Sequence, residues 1–419
     1  MAKNWMSSTW WPSQPSQPLS KSATLLSHDK PLTIAVTEHW GTHDEVVAPL
    51  VAAFGSIPGA NITSILLSAL DRFGATEMYN NLILDSLNPV PEPVQYEDDA
   101  EWQNIYRNPP DFIVSASCSW EYIVNMMPLL STSNTHFFCV VHMANWWGKD
   151  EWNDLEDRWT PWIAADRMDF IVLSPHIAKP LAQHLSTWTL LKDKQIMPRI
   201  HSWAPVFEIE HAEIEPEQNS VSFALQGDYM STKRDFGRVF RDLGHVTDSL
   251  VGQGRETKPY IHLVGSGERP EVPAQLEQQV VFDEELEYTA FYRTLGRMNA
   301  LLPAFADDEY VTTKASSSIP AALIAGAPIV VTRKVMDAYS YLEEDAVWIQ
   351  RDDQTEKDVM TDIAHKSPAE LKKKTEKARA LGKKLIRKAK DDAAGWIDVV
   401  LQQRQKRADW FEQRESFHR

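Results

Sequence analysis

The chain has 419 residues, of which 43% are hydrophobic and 24% are charged. This is the composition of a globular protein, and the length exceeds what one hydrophobic core normally accommodates, so we expect two domains. The net charge of −17 argues against general binding to nucleic acids. The charge is uneven, because residues 366–419 contain 16 basic and 8 acidic side chains and carry +8, which leaves −25 for residues 1–365.

The cysteines and the N-terminal segment indicate a protein of a reducing compartment. Cys118 and Cys139 each lie in an apolar run, which predicts buried free thiols with no disulfide framework and no metal-ligand spacing. Residues 1–30 are polar and rich in proline and serine, without the apolar core of a signal peptide, and are predicted to be a disordered leader. Because no run of 18 apolar residues occurs, we expect a cytoplasmic protein.

Buried strands alternate with amphipathic helices from residue 31 onward. Apolar runs rich in β-branched residues predict four strands, over residues 31–37, 111–117, 135–143 and 168–174. Helical spacing follows the first and the last of these strands, over residues 43–54 and 175–185. Continuous apolar runs separated by helices are typical of a parallel sheet covered on both faces. We therefore predict a Rossmann-like N-terminal domain over residues 31–205.

An acidic segment without helical periodicity separates this domain from a second one. We assign residues 206–220 to a linker and residues 221–390 to a second Rossmann-like domain. Its predicted strands are 221–227, 260–266, 278–282, 298–304, 328–332 and 346–350, and its predicted helices are 231–243, 285–297 and 318–326. The predicted fold class is α/β, with two doubly wound Rossmann-like domains facing across a cleft and with C-terminal helices.

The basic C-terminal segment predicts one or two long helices, over residues 368–390 and 391–415. Apolar residues recur at helical spacing between Leu385 and Val400, so we expect residues 391–419 to pack back on the N-terminal domain. Peripheral contact of these basic helices with an anionic membrane is the alternative.

Residues 314–331, with the sequence KASSSIPAALIAGAPIVV, predict a capped helix that leads into a strand. One of the serines 316–318 can be the N-cap, Pro320 suits the first helical turn, and Gly326 suits the C-terminal cap. A helix N-terminus carries partial positive charge and free N–H groups. Together with Lys314 it predicts a phosphate-binding site, to which plain capping beside a solvated lysine is the alternative.

The stretch LLPAFADDEYVTTKASSSIPAALIAGAPIVV, residues 301–331, resembles the donor-site region of GT-B glycosyltransferases, in particular the retaining family 4-like group. ADRMDFIVLSPHIAKPL (165–181) resembles the last strand of their N-terminal domain, which ends in a serine before a helix. FALQGDYMSTKRDF (223–236) and IHLVGSGE (261–268) resemble the first two strands of their C-terminal domain. The order and spacing of these segments carry the resemblance, which spans residues 31–350.

The resemblance implies an enzyme that moves a hexose from a UDP- or GDP-linked sugar to a carbohydrate or another hydroxyl acceptor. It implies retention of configuration, no metal, and no cofactor beyond the nucleotide sugar as co-substrate. The sequence contains no Asp-x-Asp motif, which argues against the metal-dependent glycosyltransferase fold. A sugar phosphorylase, a nucleotide-sugar epimerase and a catalytically silent sugar-nucleotide-binding protein are the alternatives on this architecture.

The resemblance also assigns the donor side of the site. The residues implied to hold the diphosphate are Lys233, Arg234, Lys314, Ser316, Ser317 and Ser318. Retaining members often carry two glutamates separated by seven residues, but Thr313 and Ala321 stand at those positions here. We expect the acidic loop to take over, with Asp307 as a candidate catalytic residue and Asp308 and Glu309 as contacts to the donor sugar. The identity of the donor stays open.

The acceptor side is assigned to loops that follow strands of the first domain. The resemblance makes His142, in VVHMANWW (140–147), the second candidate catalytic residue. The residues expected to bind the acceptor are His39, Trp40, Gly41, His43, Trp146 and Trp147. His39 and His43 have a spacing that also suits a metal, but no third ligand is evident, so we expect no metal site.

Overall fold

The computed structural model describes residues 31–38, 43–67, 72–80, 94–96, 98–118, 120–148, 154–209 and 220–417. The predicted leader 1–30 and most of the predicted linker, residues 210–219, lie outside these ranges. The chain divides into two units, of which Pro31–Ala393 contains both sheets and the other includes the described residues 394–417. No helix among the described residues is long and apolar enough to cross a membrane.

Seven parallel strands form the first sheet, in the order β3-β2-β1-β4-β5-β6-β7. The strands are β1 Leu32–Glu38, β2 Ala60–Leu67, β3 Val94–Tyr96, β4 Phe112–Ser115, β5 His136–Val141, β6 Met168–Val172 and β7 Ile200–Ser202. The four predicted strands are confirmed as β1, β4, β5 and β6. These strands are almost entirely buried, as expected for the central strands of a covered parallel sheet. β2 was missed because polar residues alternate with apolar ones along it.

Helices and a core of aromatic side chains cover this sheet. The helices are α1 Asp44–Gly55, α2 Ala75–Asn80, α3 Asp98–Arg107, α4 Trp120–Thr132, α5 Asp154–Ala164, α6 Pro175–Leu185 and α7 Thr189–Lys194. Trp159 and Trp162 of α5 are completely buried, and the ring of Trp159 stacks on Phe137 of β5 at 5.1 Å. Several tryptophans of this chain therefore stabilise the core rather than a binding surface.

A buried carboxylate connects three neighbouring strands of the first sheet. Asp169 of β6 is 3.0 Å from Nε2 of His136 in β5 and 2.7 Å from Nε2 of His201 in β7. Arg199 donates three further hydrogen bonds to the same carboxylate, from Nη2 at 2.7 Å and from Nε at 2.8 and 3.0 Å. Although burial opposes ionisation, the hydrogen bonds from His136, His201 and Arg199 hold the pKa of Asp169 well below its ordinary value. This cluster fixes the β5-β6-β7 edge of the sheet.

The second sheet contains four parallel strands in the order β10-β9-β8-β11, and a parallel pair, β12 and β13, extends it. The strands are β8 Ser220–Gln226, β9 Lys258–Gly265, β10 Val280–Glu284, β11 Ala300–Leu301, β12 Val330–Thr332 and β13 Trp348–Gln350. A parallel bridge between Leu301 and Ile329 joins the pair to β11. All six predicted strands are present, although the strand predicted over 298–304 is reduced to two residues.

The helices of the second domain follow the predicted alternation. They are α8 Phe236–Gly252, α9 Tyr288–Leu295, α10 Ser318–Ala325, α11 Arg333–Ala338, α12 Glu356–Ala364 and α13 Pro368–Phe417. Helix α10 is followed by Gly326, whose φ of 69° is left-handed, so the predicted C-terminal cap is confirmed. Ser317 stands at the N-cap position, but its side chain makes no capping hydrogen bond. Helix α13 is one continuous helix of 50 residues rather than two. Packing of its end on the first domain stays a prediction.

The two cysteines form a disulfide, so the prediction of two free thiols was wrong. Cys118 and Cys139 are bonded, with their Cα atoms 5.7 Å apart. Cys139 lies in β5, and Cys118 lies three residues after the end of β4, the strand that pairs with β5. Two short apolar runs at a separation of 21 residues do not show that their strands are neighbours, and the pairing therefore could not be read from the sequence.

In each sheet, strands that come later in the chain are added on both sides of the first strand, so the strand order reverses there. In the first sheet β1 lies between β2 and β4, and in the second β8 lies between β9 and β11. Loops at the carboxyl ends of such strand pairs diverge and leave a crevice, which is where ligands of open parallel sheets bind. These two points place the candidate site.

Candidate active site

A cleft of about 630 Å³ lies between the two sheets, at the carboxyl ends of their strands. The polar residues that line it from the first domain include His43, Glu45, Ser117 and His142. Those from the second domain include Gln226, Asp228, Lys233, Ser266, Asp283, Glu285, Tyr288, Tyr292, Tyr310, Lys314, Ser316 and Ser317. The first-domain set follows β1, β4 and β5, and the second-domain set follows β8 to β11. Both predicted crevices therefore contribute to one cleft.

His142 follows β5 and is held as a neutral imidazole. Its Nε2 is 2.7 Å from the carbonyl oxygen of Ala116, so Nε2 carries the hydrogen and donates it. Burial and the nearby His43 lower the pKa of His142 to about 3, although the bond to Ala116 opposes this. The remaining nitrogen, Nδ1, is then a hydrogen-bond acceptor at neutral pH, and His142 is suited to accept a hydrogen bond from a hydroxyl group without taking up its proton.

His43 lies beside His142 but has the opposite protonation preference. The two rings are 4.1 Å apart. Burial disfavours the charged form of His43, but Glu45, Glu38 and Asp44 outweigh it and raise the pKa of His43 above the ordinary value. Nδ1 of His43 is 3.7 Å from Oε1 of Glu45, the distance of an ion pair. The cleft thus holds two adjacent imidazoles, of which only His43 binds a proton readily near neutral pH.

Two further acids support the wall behind these histidines. Glu38, at the end of β1, is buried and accepts a hydrogen bond of 2.9 Å from the hydroxyl of Ser117. Asp44, the first residue of α1, accepts hydrogen bonds from Tyr79 at 3.2 Å and from Tyr288 of the second domain at 3.4 Å. Burial, together with neighbouring acids, raises the pKa of Asp44 to about 6. Asp44 therefore links the two domains at the His43 end of the cleft.

Lys233 and Lys314 bring positive charge to the second-domain side of the cleft. Nζ of Lys314 lies 4.9 Å from the centre of the Tyr310 ring, a cation–π contact. Nζ of Lys233 is 2.7 Å from a carboxylate oxygen of Asp228 and is partly exposed. Both side chains line the cleft together with Ser316 and Ser317.

Arg234 and Ser318, two of the residues predicted to hold the diphosphate, do not line the cleft. Arg234 is only 5% exposed, and its guanidinium donates to the hydroxyl of Ser318 at 2.9 Å and to the carbonyl of Gln226 at 3.2 Å. The same guanidinium lies over the rings of Phe305 and Tyr310. Because these contacts turn Arg234 into the domain, it fixes the start of α10 relative to β8 and leaves the cleft to Lys233.

The acidic loop before α10 also turns away from the cleft. Asp307 accepts a hydrogen bond from the N–H of Glu309 at 2.8 Å, and Asp308 forms an ion pair with Lys334 at 2.7 Å. All three acids of the loop, Asp307, Asp308 and Glu309, are exposed and are absent from the cleft lining. The loop forms a helical turn at Glu309–Val311, and this turn directs Tyr310 inward instead.

Sequence reasoning missed the carboxylates that do line the cleft. These are Glu45, Asp228, Asp283 and Glu285. Asp283 and Glu285 come at the end of β10, directly after the predicted strand 278–282, and that position was the signal that could have identified them. Glu285 has a φ of 51°, a left-handed conformation that is unfavourable for its side chain.

Backbone hydrogen bonds across the cleft place the His142 and Lys314 segments side by side. The N–H of Ala144 donates to the carbonyl of Thr313 at 2.8 Å, and the N–H of Ala315 donates to the carbonyl of His142 at 3.0 Å. Met143 and Lys314 thereby form an antiparallel bridge between the domains. One candidate catalytic residue and one candidate diphosphate ligand are thus fixed in register.

Only some of the predicted acceptor residues lie among the described residues that line the cleft. His39, Trp40 and Gly41 lie outside the described residues. Trp146 is 39% exposed and lines the cleft. Trp147 also reaches the cleft but is mostly buried, packing edge-on against Phe170.

Two glycines allow the loops after β8 and β9 to approach each other closely. A Cβ atom on Gly265 would lie 2.0 Å from the carbonyl oxygen of Gly227, and Gly227 itself has a φ of 119°. Neither position accepts a larger residue without displacing the backbone. Among the described residues, no group of three or more His, Cys, Asp or Glu side chains is arranged to hold a metal ion.

No protein-family model matches the chain, and no curated protein matches it. Solved structures do. The Anabaena protein HepE in complex with UDP-glucose superimposes with a TM-score of 0.54 at 10% identity, covering 88% of this chain and 100% of that one. A glycosyltransferase from Rickettsia africae superimposes with a TM-score of 0.52 at 12% identity, covering 87% and 98%. At such identities the similarity concerns the fold, and the chain has the GT-B fold of two Rossmann-like domains facing across a cleft.

Proposed function

We propose that the protein is a glycosyltransferase that moves a hexose from a UDP- or GDP-linked sugar to a hydroxyl acceptor, with retention of configuration and without a metal ion. The observation that carries the proposal is the register of His142 and Lys314 across the cleft. The similarity to HepE, which was solved with UDP-glucose, supports UDP as the nucleotide.

The second-domain side of the cleft would bind the diphosphate. Cleavage of the bond between sugar and diphosphate leaves negative charge on the phosphate oxygens, and fixed cations stabilise that charge. Lys314 and Lys233 are the lysines that line this side, and Ser316 and Ser317 add hydroxyl donors. Asp228 pairs with Lys233 and holds it in place until the diphosphate competes for it.

The first-domain side would bind the acceptor and the transferred sugar. Neutral His142 can accept a hydrogen bond from a sugar hydroxyl through Nδ1, and His43 can exchange a proton near neutral pH. Trp146 offers an exposed ring for stacking on the acceptor. In a retaining transfer the departing diphosphate takes the acceptor proton, and His43 then serves to orient the acceptor rather than as the base.

Titration calorimetry with UDP-glucose and with GDP-mannose tests the donor claim. We expect one of the two to bind, and we expect Lys314→Ala to weaken its affinity by roughly 10- to 100-fold, since one charge-assisted contact is lost. Lys334→Ala is the matched control, because Lys334 is exposed and pairs with Asp308 outside the cleft. If neither nucleotide sugar binds the wild-type protein, the proposal fails.

The anomeric configuration of the product tests retention. Proton NMR of the product from an α-linked donor should show an α-glycoside. A β-glycoside would contradict retention and would make His43, the imidazole with the raised pKa, the general base.

We also propose that the basic face of α13 contacts an anionic membrane. The exposed basic residues repeat over four helical turns and comprise Lys372, Lys373, Lys377, Lys383, Lys384, Arg387 and Lys388. Three of them are in ion pairs, Lys377 with Asp345, Lys384 with Glu343 and Lys388 with Asp392, so only part of the charge is available. Sedimentation with vesicles containing phosphatidylserine should pellet the protein, and Lys383→Glu combined with Arg387→Glu should abolish this. Equal pelleting of both proteins contradicts the proposal.

A further inference from the structure

His176 lies at the start of α6 in the first domain, but its ring contacts the second domain. Its Nε2 is 3.1 Å from the carbonyl oxygen of Lys314, and its Nδ1 is 2.9 Å from the hydroxyl of Ser174 and 3.2 Å from the carbonyl of Ala338. With the hydrogen on Nε2, the ring donates to Lys314 and accepts from Ser174. Burial lowers the pKa of His176, so this neutral form is the one present at neutral pH.

The same ring packs against a side chain that organises the start of α10. The ring centres of His176 and Tyr339 are 4.9 Å apart. Tyr339 is completely buried, and its hydroxyl accepts from the N–H of Ser316 at 2.9 Å and donates to the carbonyl of Tyr310 at 2.8 Å. His176 therefore contacts both ends of residues 310–316, directly at Lys314 and through Tyr339 at Tyr310 and Ser316. We call residues 310–316 the Lys314 segment.

We propose that His176 is a positioning residue of the transfer reaction, an inference that rests on the proposed function. His176 is not among the residues that line the cleft. It holds the Lys314 segment against the first domain, so that the ammonium group of Lys314 and the hydroxyl of Ser316 face the diphosphate while His142 faces the sugar.

Three hydrogen bonds attach the Lys314 segment to the first domain. The backbone pairing of Ala144 with Thr313 and of His142 with Ala315 holds it along one edge. His176 provides a side-chain donor on the carbonyl between those two pairs, that of Lys314. Without it the Lys314 carbonyl, at a half-buried position, loses its partner, and the residue whose charge matters most loses a restraint. Small misplacements of a charge-stabilising group lower the rate of the chemical step more than they weaken substrate binding.

A matched pair of amide substitutions isolates this hydrogen bond. In His176→Gln the side-chain N–H can still reach the Lys314 carbonyl from the position of Nε2, whereas in His176→Asn the chain is one carbon shorter and cannot. We expect kcat to fall roughly 10-fold or more in the Asn variant, with KM for the nucleotide sugar changed less than about 3-fold, and the Gln variant to retain most of the rate. His245→Asn, an exposed histidine of α8, is the control and should behave as wild type.

Hydrogen exchange separates this inference from the proposed function. The amides of the Lys314 segment should exchange faster in His176→Asn than in the wild type, and His176→Gln should restore their protection. If the wild type transfers no sugar, the proposed function fails, and the exchange data still show whether His176 holds the segment. Equal exchange and equal kcat in all three proteins, or a Gln variant as impaired as the Asn variant, would overturn the inference.

Discussion

Replacing Asp44 by Asn should stabilise the protein above pH 6 and leave it unchanged in acid. Burial and the neighbouring acids raise the pKa of Asp44 from 3.8 to about 6 in the folded protein. Between these two values the folded state binds more protons than the unfolded chain, so the free energy of unfolding falls as the pH rises. The loss is complete once the pH exceeds the folded pKa. An amide cannot ionise, and so the Asn variant should not suffer this loss.

The size of the effect follows from the pKa difference. A rise of about two units corresponds to about 3 kcal/mol at neutral pH and above, and this is the upper limit of the gain. Oδ1 of the amide can still accept from Tyr79, and its NH₂ group can donate to the hydroxyl of Tyr288, so the two contacts of Asp44 need not be lost. Urea unfolding of both proteins at pH 4 and pH 8 measures the difference directly.

The control is Asp193→Asn, which removes an exposed acid of α7 in the same domain. It should change the free energy of unfolding by less than about 0.5 kcal/mol at either pH. A pH-independent difference between wild type and Asp44→Asn, or a variant less stable at pH 8, would refute the electrostatic reasoning, because the acid would then be stabilising through its hydrogen bonds.

Three further predictions concern other parts of the fold. Gly265→Ala should lower the free energy of unfolding in urea by about 1–3 kcal/mol and weaken nucleotide binding, because its Cβ would lie 2.0 Å from the carbonyl oxygen of Gly227. The control is Gly244→Ala in α8, where a Cβ has open space and should stabilise the protein by up to about 1 kcal/mol. Asp169→Ala should destabilise by about 3–5 kcal/mol, because it removes the buried carboxylate that His136, His201 and Arg199 share. Reduction of the disulfide between Cys118 and Cys139 should lower the free energy of unfolding by about 3 kcal/mol, given their separation of 21 residues. Alkylation without a reductant, followed by mass spectrometry, should find neither cysteine modified.

The alternation of strands and helices was predictable because most strands of both sheets are continuous apolar runs. β5 and β6 are buried along their whole length, and their sequences contain little else than apolar residues. β2 was not predictable because polar residues interrupt its apolar pattern, and β3 was not predictable because it has only three residues. The lengths of β11 and of the final helix depend on tertiary contacts that local propensity does not contain.

The location of the candidate site could be predicted from the sequence, but the contacts of its individual residues could not. Lys314 and the start of α10 could be located because capping residues have a definite sequence pattern. The inward turn of Arg234 could not, because whether a basic side chain meets phosphate or the hydroxyl of Ser318 depends on aromatic neighbours from another loop. The role of His176 could not be predicted for the same reason, since its hydrogen-bond acceptor, the carbonyl of Lys314, lies 138 residues away in the chain.

The structure shows what Thr313 and Ala321 do at the two positions where acids were expected. The carbonyl of Thr313 takes part in the pairing between the domains, and Ala321 lines the cleft with a side chain too small to fill it. The carboxylates of the second-domain wall instead follow β8 and β10, as Asp228, Asp283 and Glu285 do. Under the proposed function, selection of the donor is therefore expected to depend on the loop after β10, where Glu285 lines the cleft with a left-handed φ of 51°.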